Sequence, residues 1–131
     1  MSKHDQYNST RDALLDAANR VLTSKGAEGF TLDAVAKEAA VSKGGLLYHF
    51  PSKYSLIEGM IARSASRIDA ALEEELGKAG DYLTAYIRAS FRTVAEPEQV
   101  SRALSAAIAN DPRLMEPIRA QLDRLTHWIW F

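Results

Sequence analysis

Between residues 52 and 77 the apolar residues Leu56, Ile57, Met60, Ile61, Ile68, Ala71 and Leu72 recur every three or four positions, with Ser64 on the same line. That period fits one face of a continuous α-helix and does not fit a strand. At 1.5 Å per residue the segment is about 36 Å long, enough to link two layers of a helical protein. Other helices must pack on its stripe, and the remaining sequence supplies them. Glycine and proline divide the chain into segments of the same spacing, and none shows the strict alternation of a half-buried strand. The class is all-α.

The first segment covers about residues 9 to 25, with Leu14, Ala17, Ala18, Val21 and Leu22 on one stripe, Ser9 or Thr10 as N-cap and Gly26 as the stop. Thr31 then caps a helix of about two turns. Asp33 sits in its first turn, where the helix dipole favours an anion, and Leu32, Val35, Ala36 and Ala39 face inward. A short turn, Ala40-Val41-Ser42, leads to a third helix that Ser42 caps and that runs to Tyr48; Phe50-Pro51-Ser52 ends it, and Ser52 caps the long helix. Beyond Gly80 the pattern places helices near residues 81 to 95, near 97 to 110, and from Pro112 or Pro117 onward. The chain therefore divides into a head, residues 1–53, and a helical body, residues 54–131.

Composition narrows the function classes. The absence of cysteine removes disulfides, thiolate nucleophiles and thiolate metal sites together, and fits a reducing cytoplasm. The start of the chain lacks the apolar stretch of a signal peptide, and no apolar run is long enough to span a bilayer, so no membrane partner is expected. Net charge is −1, so a polyanion partner must be argued from the distribution of charge. The distribution leans that way: seven Lys/Arg stand against six Asp/Glu through residue 53, and nine against eleven beyond it.

Two short helices either side of a turn of about three residues form the geometry that lays a second helix in the DNA major groove. The outer face of residues 31 to 53 holds Lys37, Lys43, His49 and Lys53, with Glu38 the one acid between residues 37 and 53. Val35, Val41, Leu46 and Phe50 are spaced to fill a core between the helices. One face is apolar and the other suits phosphate. Gly44-Gly45 near the start of the third helix costs about 1 kcal/mol per glycine relative to alanine. Close approach to a DNA backbone or base edge would account for that cost, and a loosely formed helix start that packing tolerates is the alternative.

The run Thr31-Leu32-Asp33-Ala34-Val35-Ala36, followed by Val41-Ser42-Lys43-Gly44-Gly45-Leu46-Leu47-Tyr48-His49-Phe50-Pro51-Ser52-Lys53, closely resembles the signature of the TetR family of repressors. The resemblance covers about residues 10 to 60. It implies that Ser42, Lys43, Gly44, Gly45 and Tyr48 face base edges or flanking sugars, while Thr31, His49 and Lys53 contact phosphates at the two sides of the groove. Two positions depart from the family pattern. Ala40 stands where the turn glycine is usual, at a cost of about 1–2 kcal/mol if the residue is left-handed. Leu47 stands where an aromatic residue usually follows the central leucine of the third helix.

The resemblance further implies a homodimer on double-stranded DNA with a palindromic operator, a ligand pocket in the body, and a small-molecule inducer, apolar or amphipathic, that releases the repressor from the operator. A chain of 131 residues is short for that plan, and its aromatic end, Trp128-Ile129-Trp130-Phe131, suits either an interface or burial against neighbouring helices. Met60, Tyr82, Tyr86, Phe91, Met115, His127 and Trp128 are the candidate pocket residues, large or polar-tipped side chains on apolar segments, with ordinary core packing as the alternative for each. Ligand binding would tilt the long helix and move two recognition helices out of their spacing of about 34–36 Å.

No catalytic constellation competes with this reading. The three histidines, His4, His49 and His127, are scattered, and there is no glycine-rich phosphate loop. Glu73-Glu74-Glu75 point around a helix instead of converging, so no metal site is expected, and no cofactor. A helical protein-interaction module is the remaining alternative, distinguished by indifference to DNA at every ionic strength.

Overall fold

The computed structural model describes residues 2–93, 98–116, 119, 120 and 123. Among these residues the α-helices run in order: α1 (Lys3–Lys25), α2 (Leu32–Glu38), α3 (Lys43–His49), α4 (Lys53–Ala79), α5 (Tyr82–Thr93) and α6 (Glu98–Asn110), followed by a 3₁₀ turn at Pro112–Met115. Among the described residues there is no strand, as the periodicity requires.

Helix α1 starts at Lys3, well before the apolar stripe begins, because Ser2 and Asp5 form a capping box: the Ser2 hydroxyl accepts from the Asp5 amide and the Asp5 carboxylate accepts from the Ser2 amide. The stripe alone places the start near residue 9. At the other end Gly26, at φ 70°, turns the chain out of the helix. Thr31 caps α2 by accepting from Ala34 N, and Ser42 caps α3 by accepting from Gly45 N. Ala40, between them, has φ 54°, the left-handed conformation that the family's glycine would adopt without strain. Ser52 and Ser55 form a second capping box at the start of α4, which continues to a left-handed Gly80.

The three-helix head closes over one core. Leu14, Leu15, Ala18, Val35, Leu46 and Leu56 are sealed, and Phe50 joins them from the α3–α4 turn. Val41 is half-buried against the same core. The core also takes in Leu104 from α6 and Leu114 from the 3₁₀ turn, so the segments after α5 return to the head and pack on α1 and α4. A second, smaller cluster of Ala71, Leu72, Ala85 and Ala89 joins α4 to α5. Arg92 locks that pair, donating to the buried Glu75 at 2.8 Å and to Glu74 at 3.2 Å. Arg63 fixes α4 to α1 through Asp16 at 2.7 Å.

His127, Trp128 and the aromatic end lie outside the described residues.

Candidate nucleic-acid interface

Helix α3 is held from below and open above. Leu46 anchors it in the core with no exposed surface, while Ser42, Lys43, Gly44, Leu47 and Tyr48 are exposed. The seven-residue helix is too short to be stable alone, so its orientation is set by Leu46, by Val41 and by the cap at Ser42. The Ser42 and Thr31 hydroxyls accept from amides within their caps, which leaves each hydroxyl proton to donate outward, as a phosphate contact needs.

The two glycines differ. A Cβ on Gly44 would meet nothing within 4 Å, so this position presents bare backbone to solvent. A Cβ on Gly45 would come within 2.9 Å of Val41 Cγ1 and 3.2 Å of Ser42 Oγ. Gly45 thus has a packing reason inside the motif, and Gly44 has none.

Lys43 forms an exposed ion pair with Asp33 of α2 at 3.0 Å. Such a pair is worth little in water and is readily exchanged for a phosphate. Lys53, the first residue of α4, rests its ammonium 5.5 Å from the centroid of the Phe30 ring. Glu38, the acid on this face, is paired with Arg20 at 2.9 Å, so its charge is offset.

Tyr48 and His49 are joined by a residue that the stripe of α1 gave no reason to single out. Tyr7 lies in ring contact with both, and Tyr48 remains 74% exposed. The His49 ring is half-buried, its Nδ1 is shielded and has no hydrogen-bond partner, and burial, aided by the nearby Arg11 charge, lowers its pKa below the usual histidine value. Arg11 itself stacks over Phe50 at 5.0 Å. The capping pattern Ser2-x-x-Asp5 is the sequence signal that would have extended α1 far enough to include Tyr7.

The eight expected DNA-facing residues therefore lie along α3 and at the two helix starts that flank it. The expected pocket residues are not brought together in the same way. Met60 is sealed in the main core; Tyr82 and Tyr86 stack on each other along α5 at 6.3 Å; Phe91 is 79% exposed; and Met115 is half-buried in the 3₁₀ turn.

A two-helix turn motif on a sealed three-helix head, carried by a long linking helix, is the architecture of helix-turn-helix regulatory proteins. The chain belongs to the tetR family of bacterial regulatory proteins: that family's model matches residues 14–60, and the tetracyclin repressor-like C-terminal domain model matches residues 80–129. Among curated relatives, it is similar to the HTH-type transcriptional regulator UidR of Escherichia coli, 33% identical over 67 residues, which are 51% of this chain and 34% of that protein. It is also similar to IcaR of Staphylococcus aureus, the HTH-type negative transcriptional regulator of the biofilm operon icaADBC, 42% identical over 48 residues, 37% of this chain and 26% of that protein. The matched stretch is thus about a third of UidR and about a quarter of IcaR. The fold is shared with a crystal structure of a Streptomyces coelicolor protein assigned as a transcriptional regulator, at TM-score 0.68 and 22% identity, over 88% of this chain and 70% of that one.

Proposed function

We propose that this chain is a sequence-specific DNA-binding transcriptional regulator, a repressor that binds a palindromic operator as a homodimer in the cytoplasm. The observation that supports this reading best is α3 itself: a short helix fixed from beneath by Leu46 and presenting Ser42, Lys43, Gly44 and Tyr48 to solvent. Thr31, His49 and Lys53 stand at its two sides, where phosphates of the groove walls would lie. Gly45 takes part through the cap that it completes with Ser42.

The name of IcaR, a negative regulator, favours repression over activation. Pairing into a dimer has an apolar surface to draw on, since Leu83, Ile87 and Phe91 stand outward on α5 at helical spacing. A small-molecule inducer acting through α4 would complete the cycle: α4 leaves the head at Lys53 and reaches α5 at the other end, so a tilt of α4 moves α3 with it.

Fluorescence-anisotropy binding to a randomised palindromic duplex pool at two salt concentrations tests the reading, with a Lys43→Ala, Lys53→Ala double variant beside the intact chain. The expected result is selective binding that weakens steeply with salt and that the double variant loses. Absence of duplex binding at low salt would overturn it in favour of a protein-interaction module.

A further inference from the structure

A cavity of about 210 Å³ lies between α1, the α1–α2 loop, the first turns of α4, and α6. Leu22, Phe30, Ile57 and Leu104 form its larger walls, and α6 closes it with Ala103 and Ala107. The two alanines explain the space: α6 docks on the head through Leu104, and on either side of that residue its side chains are too short to reach Phe30 and Ile57. Two polar groups are at the edge, the Lys53 ammonium over the Phe30 ring and the exposed Asn110 amide. None of the expected body-pocket residues lines it.

We propose that this cavity is an effector site for a small aromatic carboxylate, whose ring fills the apolar walls and whose anion engages Lys53. The chemistry follows from the lining. The walls are apolar and end in an aromatic face, which suits a ring, and the volume suits one or two fused rings, below the roughly 300–1,000 Å³ of sites for drug-sized ligands. The charge at the mouth is positive, and no carboxylate among the described residues pairs with Lys53. A cation is repelled there and an anion is drawn in. Asn110 adds an amide donor, so a carboxylate has two partners at the mouth.

The consequence rests on the DNA-binding reading above. Lys53 is assigned there to a phosphate, and one ammonium held by a carboxylate inside the cavity no longer reaches it. The ligand also joins α6 to the α1–α2 loop. Ligand and operator therefore exclude each other at a single residue, without a signal crossing the body.

Isothermal titration of the DNA-free full chain with 1-naphthoate, and with 1-naphthamide as the neutral comparison, tests the site directly. The acid is expected to bind, the amide about tenfold more weakly, as for the loss of one charged hydrogen bond. Ala107→Phe is expected to abolish binding of both, and Lys53→Met to remove the preference for the acid. If circular dichroism shows that Ala107→Phe unfolds, Ala106→Phe blocks the same wall from its exposed edge. No heat of binding at millimolar naphthoate, or binding that survives the blocking variant, overturns the proposal. In the duplex assay naphthoate is expected to release the intact chain and not the blocked one. Naphthoate that binds while the operator stays held overturns the link to Lys53. A chain that binds no duplex refutes the DNA reading alone, and the titration still decides the cavity.

Discussion

Tyr7, in the second turn of α1, lies 4.4 Å ring to ring from His49, the last residue of α3. It also meets Tyr48 edge-on at 5.8 Å. The first turns of α1 thus brace the exit of α3, and the exposed Tyr48 ring has a fixed neighbour on one side. Tyr7→Ala is expected to lower stability by about 0.5–1.5 kcal/mol, the worth of an aromatic pair, and operator affinity by about two- to tenfold. Tyr7→Phe should change neither, since the ring makes the contacts. Thermal unfolding and anisotropy on the two variants check this; lost stability with unchanged affinity would make Tyr7 a packing residue only.

Gly44 and Gly45 should respond oppositely to alanine. At Gly44 the new methyl meets nothing, so Gly44→Ala is expected to stabilise α3 by up to about 1 kcal/mol through helix propensity. At Gly45 it meets Val41 and Ser42, so Gly45→Ala is expected to cost about 1–3 kcal/mol through overpacking. Paired denaturation curves give both signs. If DNA approaches α3 at Gly44, the stabilised Gly44→Ala variant will nonetheless bind its operator more weakly.

Much of this arrangement was legible from spacing. The stripe from Leu56 to Leu72 placed α4, and Val35, Leu46 and Phe50 were placed in the core where they lie. Thr31, Ser42 and Ser52 read as caps because a hydroxyl just before an apolar period has one common use, and all three cap. What spacing could not reach were contacts between segments distant in sequence. The first turns of α1 are polar all round, so no periodicity announced them or the contact of Tyr7 with α3. The pairing of Lys43 with Asp33 and the seating of Lys53 over Phe30 depend on how α2 and α4 meet their neighbours. The cavity behind Lys53 depends on where α6 docks, and alanines at helical spacing read the same whether they fill a gap or leave one.

Ala40 holds φ 54° with a Cβ that the left-handed region disfavours. The turn is kept by its surroundings: the Val41 amide donates to Ala36 O at 3.0 Å and the Ala40 amide to Lys37 O at 3.1 Å. Ala40→Gly is therefore expected to raise stability by about 1 kcal/mol, seen as a higher denaturant midpoint with an unchanged slope. The variant should bind DNA as the parent does, because Ala40 is outside the set of expected contacts.

Gly59 is a helical glycine of the opposite kind. A Cβ there would sit 2.7 Å from Phe50 Cε1 and 3.4 Å from Leu15 Cδ2, where α4 crosses the head core. Helix propensity favours alanine by about 1 kcal/mol, but the ring of Phe50 is itself packed and cannot move aside freely. Gly59→Ala is expected to destabilise by about 1–3 kcal/mol in urea unfolding. A gain in stability would mean that Phe50 repacks.

His49 gives a pH dependence whose sign differs between folding and binding. Burial, and then the charge of Arg11, disfavour its cation in the folded chain, so the pKa falls below its ordinary value of 6.5. As pH drops through that value the unfolded chain takes up the proton first. Stability from this residue is therefore complete above the unfolded pKa, declines as pH falls from there toward the folded pKa, and is level below it. A DNA phosphate beside the ring acts the other way, because a neighbouring anion favours the imidazolium, so binding should take up a proton and affinity should rise as pH falls. Urea midpoints and operator affinities measured from about pH 8 to about pH 5, across the histidine range, give both slopes, and His49→Asn should remove the share of each due to this ring. If stability shows its slope while affinity is flat in the parent chain, His49 packs against Tyr7 and does not meet phosphate, and the groove contact assigned to it must move to Thr31 and Lys53.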